Sequence, residues 1–150
     1  MALLREKRPR VLWLVPGNPA TRTGCSKDRL QSKLFRDAVE VARELGLLVV
    51  IEGFSNSPVW ELPNYVALRE TLHSHGSLWC RTGSPDPSLL VRRPTTLLAS
   101  EELEVEQGPC THPKHSAIPE NFRHGKYPPH VVEGYIQMLR RVLDAVPRGA

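Results

Sequence analysis

The sequence predicts an α/β fold, and three observations predict it. Residues 10–15 (RVLWLV) and 47–51 (LLVVI) are short, apolar runs of the kind found in strands covered on both faces. Between them an amphipathic stretch of helical period starts near Asp28 and closes on Gly46. A strand, a helix and a strand within about 40 residues make a βαβ unit, whose right-handed crossover sets the strands parallel.

The first strand is stopped by Pro16-Gly17-Asn18-Pro19, a turn-rich loop that continues to Ser26. Leu30, Leu34, Ala38, Val41 and Leu45 recur at helical spacing and are the expected core face of the first helix. The second strand reads continuously apolar to Ile51 and meets a carboxylate, Glu52, at its tip. A Ser/Asn/Pro loop follows, and Pro63 opens a second helix over residues 63–73, with Tyr65, Leu68 and Leu72 in period. Residues 77–82 and 89–91, the latter extended through 95–99, read as strands about the turn-forming GSPDP, a β-hairpin. The acidic residues 101–106 suit a solvated connector. Pro128-Pro129 then opens a closing helix with Val131, Tyr135, Met138 or Leu139, and Val142 on one face and Val146 behind.

A chain of 150 residues suits one domain, expected over residues 10–146, after a basic arm at 1–9 and before a short tail at 147–150. Hydrophobic content of 40% and charged content of 24% are ordinary for a globular fold, whereas 14 prolines imply long ordered loops or some looseness. The net charge of +4 favours acidic partners such as nucleic acid, although Arg5, Lys7, Arg8 and Arg10 carry part of it. No run approaches the roughly 18 apolar residues of a membrane span, and the first ten residues lack a secretory core and cleavage site. Cys25, Cys80 and Cys110 are odd in number and widely spaced, which argues against a disulfide framework. The expected location is therefore intracellular, nuclear or cytoplasmic, with no membrane partner.

Ligands of open α/β sheets bind at the carboxyl ends of the strands. The loops after Val15 and Ile51 share that edge, which brings Asn18 and Glu52 within reach of one ligand. Arg22 and Lys27 flank the first loop, and Arg92 and Arg93 precede the last strand, a basic rim suited to phosphate. Solvated surface cations explain the same residues as well. Cys110, His112, His115 and His124 supply enough ligands for tetrahedral zinc, in a spacing that fits no standard finger and equally suits exposed histidines on a polar loop. His73, His75 and His130 are expected as solvated helix-end residues, Cys80 as a small buried hydrophobe, and Trp13 and Trp60 as structural residues.

The order of elements resembles the second half of the Rossmann-like methyltransferase fold, and local sequences resemble DNA cytosine 5-methyltransferases. VLWLVPGNP is similar to their strand leading into a Pro-Cys loop, and VVIEGFSNSPVW to their strand ending in Glu-Asn. WCRTGSP with RRPTTLLAS, and GKYPPHVVEGYIQML, are similar to the segments that follow. More closely, the pattern resembles divergent methylase-like domains carried by eukaryotic mobile elements, over most of residues 10–145. The resemblance implies a partial methyltransferase-type sheet and gives Glu52 the part of the base-binding glutamate beside a flipped cytosine. It puts Gly17 where the family has its attacking cysteine, with Cys25 eight positions further on, and Gly53 where the family has Asn. Only MALLREKRP precedes the first strand, in place of the Gly-rich strand-turn-helix that holds S-adenosylmethionine. The expectation is a truncated, degenerate methyltransferase-like domain that is not catalytically autonomous, binds no S-adenosylmethionine alone, and retains weak nucleic-acid binding. Two alternatives stand beside it. One is a methyltransferase half completed by a partner chain or by upstream sequence, which then binds S-adenosylmethionine; the other is a zinc-stabilised nucleic-acid-binding module over residues 109–130. Asn18-Pro19 is also faintly similar to the Asn-Pro loop of amino-group methyltransferases.

Overall fold

The computed structural model describes residues 1–17, 19, 21, 23–80, 92–105, 114–115 and 127–145. Among them the chain is α/β, with a four-stranded mixed sheet that contains a parallel pair and with a helix at its C-terminal end. Strand β1 (Val11–Leu14) lies parallel to β2 (Leu48–Phe54), in the register Val11↔Leu48 to Leu14↔Ile51. The parallel βαβ unit expected from the sequence is therefore present. Helix α1 (Ala2–Lys7) occupies most of the expected basic arm, and its Arg5 pairs with Glu44 at 3.2 Å.

Helix α2 (Ser26–Glu44) connects the parallel strands and ends before Gly46, whose φ of 70° is the left-handed conformation that a C-terminal glycine tolerates. Its buried residues are Ser32, Ala38, Val39 and Ala42. Leu30 and Leu34, expected in the core, are instead 59% and 49% exposed. Small residues let the helix backbone approach the sheet closely: the arc turned inward keeps Ala38 of the expected face, with Leu45 packed against the core, and continues through Val39 and Ala42 in place of Leu30 and Leu34.

The second strand does not end at Ile51. β2 runs on to Phe54 because a second neighbour, β4 (Arg92–Ala99), lines its other side. Ser55 Oγ meets Thr96 Oγ1 at 2.9 Å, while Ser100 N–H donates to the Val49 carbonyl at 3.1 Å. Rising numbers on one strand meet falling numbers on the other, so β4 is antiparallel to β2. The strand order is β1-β2-β4-β3, where β3 is His73–Cys80.

A 3-10 turn (Pro58–Glu61) follows β2, with the Ser57 hydroxyl accepting from Val59 N–H, and leads into α3 (Pro63–Thr71). α3 is shorter than its periodicity suggests, because His73 already belongs to β3. His73 and His75, expected at a helix end, are strand residues facing Glu102: His73 Nδ1 lies 2.8 Å and His75 Nε2 3.5 Å from its carboxylate. The end of β4 thus lies beside the start of β3, as a hairpin requires. Residues 89–91 lie outside the described residues.

The chain divides into two compact units, Met1–His75 with Thr96–Glu102, and Gly76–Thr95 with Leu103–Ala150. The core of the first holds Val39, Ala42, Val49, Ile51, Trp60, Leu62, Tyr65, Leu68 and Leu98, with Leu12, Leu14 and Phe35 packed against it. In the second, α4 (Pro129–Ala145) buries Val131, Tyr135 and Met138, the face its sequence predicts. Its His130 is no free helix-end residue, since its Nε2 donates to the Cys80 carbonyl at 2.8 Å. Cys80 is 1% exposed, a buried thiol as expected. No helix among the described residues is long and apolar enough to cross a membrane.

Candidate functional site at the carboxyl edge

Leu14 pairs with Ile51, so Val15 and Glu52 lie side by side where the parallel strands end their pairing. Glu52 is not a tip residue. It sits within β2 and is 1% exposed. Strand alternation fixes where it points. Val49 and Ile51 belong to the core beneath α2 and α3, and a Cβ on Gly53 would meet the Trp60 ring at 2.8 Å on that same face. Glu52 therefore faces the other side of the sheet, in step with Leu48, Val50 and Phe54, which are all buried. A base that met this carboxylate would approach from that side, and not from the α2 loop.

The loop after β1 is tied to α2. Pro16 and Pro19 are buried, and exposed Gly17 donates its N–H to Gln31 Oε1 at 2.8 Å. At the far end of the loop Gly24 has φ 65°, and a Cβ there would stand 2.9 Å from that of Asp28. Cys25 is the N-cap of α2; its N–H donates to Asp28 Oδ2 at 2.8 Å, and its thiol is exposed. The hydrogen bonds that the Cys25 backbone and side chain give to Asp28 hold the Asp28 carboxyl below its usual value, with Lys27 and Arg29 adding to the effect. Cys25 is thus occupied in starting a helix.

Of the expected substrate-binding residues, Lys27 is exposed in the first turn of α2. Arg92 and Arg93 open β4, with side chains outside the described residues. Asn18 and Arg22 lie outside the described residues altogether, as do Cys110, His112 and His124 of the candidate zinc set; His115 is described and half-buried. Among the described residues no group of three His, Cys, Asp or Glu side chains is arranged to hold a metal ion.

Sequence reasoning overlooked an open depression of about 350 Å³ just beyond β2. Ser55, Asn56, Ser57, Pro58, Trp60, Glu61 and Arg69 line it. The signal was present, because a Ser-Asn-Ser-Pro loop after a parallel strand is where α/β folds place ligands. Arg69 could not be foreseen, as it arrives from the last turn of α3. Trp60 forms the floor, 4% exposed, its indole N–H donating to the Phe54 carbonyl at 2.7 Å. The depression therefore offers hydroxyl, amide and guanidinium groups over an apolar floor, a set suited to a polar or anionic group and lacking an exposed ring for base stacking. Comparison of the chain with protein-family models, with curated proteins and with solved structures returned no match.

Proposed function

We propose that this chain is a degenerate DNA-methyltransferase-like domain that performs no methyl transfer by itself and binds nucleic acid weakly, through its phosphates. The observation that carries the reading is the loop after β1. Gly17 stands where the resembling enzymes have their nucleophile, and its amide is bound to Gln31. Cys25 caps α2 at the other end of that loop. A thiol displaced by far more than the roughly 1 Å that already costs such reactions a hundredfold does not attack a flipped cytosine. Phosphate contacts from Arg22, Lys27, Arg92 and Arg93 make affinity depend on salt and little on sequence.

The test combines a binding titration with a covalent trap. Anisotropy of a labelled single strand should show a log–log salt slope on the order of −3 if four phosphates are neutralised. An oligonucleotide carrying 5-fluorocytosine, incubated with S-adenosylmethionine, should yield no adduct. A stable adduct mapped to Cys25 would overturn the reading, as would binding that ignores salt.

A further inference from the structure

The loop between β2 and α3 is held in shape by its own hydrogen bonds. The Phe54 carbonyl accepts from Ser57 N–H at 3.0 Å and from the Trp60 indole N–H at 2.7 Å, while Val59 N–H donates to the Ser57 hydroxyl at 3.2 Å. Ser55 Oγ is set in place by Thr96 Oγ1, 2.9 Å away on β4. All of these residues belong to one compact unit. The open depression of about 350 Å³ that this loop shapes is therefore preformed, at the small end of the roughly 300–1,000 Å³ of ligand clefts. Two polar side chains reach it from different elements, Asn56 from the loop and Arg69 from the last turn of α3. Both are exposed, and neither makes a side-chain hydrogen bond or ion pair among the described residues.

We propose that the depression binds a small polyhydroxy carboxylate, a sugar acid. Arg69 takes the carboxylate through the planar fork that pairs with both of its oxygens. Ser55 and Asn56 both give and accept hydrogen bonds, which suits hydroxyl groups that do the same. Pro58 and the Trp60 floor leave apolar surface for the ligand's carbon backbone. Charge selects a carboxylate over a phosphate ester. Among the lining residues Arg69 is the cation and Glu61 a carboxylate, so one guanidinium meets one carboxylate and the wall has no excess positive charge for a dianion. The site lies just beyond the carboxyl end of β2, where α/β sheets place ligands, and it shares no residue with the proposed phosphate contacts of nucleic acid.

An amide-resolved NMR titration of the full chain at constant ionic strength tests the proposal, with gluconate, glucose and glucose 6-phosphate as probes. Gluconate should shift the backbone amides of Ser55 and Asn56 and the Trp60 indole N–H, and the shifts should saturate. Glucose, which lacks the carboxylate, and glucose 6-phosphate, which replaces it with a dianion, should each bind at least about tenfold more weakly. Arg69→Gln removes the fork and Asn56→Asp sets a like charge beside the ligand, so each should lose at least about tenfold in gluconate affinity while melting as the wild type does. The salt-dependent affinity of a labelled single strand should be the same in Arg69→Gln as in the wild type. Shifts that do not saturate with gluconate overturn the proposal, as does a neutral or phosphorylated sugar that binds equally well. A variant that binds gluconate like the wild type overturns it too, and so does a loss of single-strand affinity in Arg69→Gln, which would assign the depression to nucleic acid.

Discussion

Gly53 shows how one missing side chain serves packing. The Trp60 ring lies so close to it that a Cβ would approach Cζ2 at 2.8 Å. Gly53→Ala should therefore destabilise by about 1–3 kcal/mol, the cost of overpacking a core, measured by urea unfolding; an unchanged midpoint would mean that Trp60 moves aside freely. Tyr65 is a second case, 1% exposed with a hydroxyl that finds no partner among the described residues. Burial, and secondarily the charge of Asp28, raise its phenol above the ordinary 10.0. A raised acid leaves full stability below the unfolded value and loses it as pH climbs towards the folded one. Wild type should accordingly weaken above pH 10.0 by a component that Tyr65→Phe lacks, and the variant should be neutral or up to about 1 kcal/mol more stable at neutral pH. Asp28 has the opposite sign. Its folded value lies below 3.8, so its contribution is present above 3.8 and disappears as pH falls through the depressed value. The stability gap between wild type and Asp28→Asn should close in that acid window, as thermal unfolding at stepped pH would show.

At the scale of elements, α2 was legible in its existence, period and glycine stop, but not in its orientation. Ala38 was expected on the core face, but the leucines have the greater hydrophobicity, and a single helix gives no means of knowing that Val39 and Ala42, and not Leu30 and Leu34, will meet the sheet beside it. The choice depends on how closely β1 and β2 can be approached. Gly46 tests the stop itself: nothing lies within 4 Å of its would-be Cβ, so Gly46→Ala should cost only the backbone strain of a left-handed residue, about 1 kcal/mol, in denaturant unfolding. A much larger loss would point to packing instead. The end of β2 was misread for a related reason. Apolar composition stops at Ile51, whereas pairing continues to Phe54 because β4 supplies it from a distant part of the chain.

For the molecule as a whole, the buried side of the sheet and the proposed phosphate contacts are separable. Glu52 belongs to the former, so Glu52→Gln should leave the affinity for single strands and their base preference unchanged, whereas Lys27→Ala should lower the affinity and reduce the salt slope by about 0.7. Anisotropy titrations at several salt concentrations would resolve both. A base-dependent loss in Glu52→Gln would show that the carboxylate still reads a nucleobase.

The βαβ unit, the Gly46 stop, the α4 face and the burial of Cys80 all followed from local pattern, because hydrophobic period and turn chemistry act within a dozen residues. The path of the chain beyond Ile51 did not. His73 and His75 look like the end of a helix until Glu102 and β4 are placed beside them, and Arg69 has no evident role until α3 brings it over the Ser55 loop. Strand order, the face to which Glu52 points and the arc of α2 that is buried depend on contacts between residues far apart in sequence. Only the folded sheet decides those, since alternation and period say which residues share a face and not what will cover it.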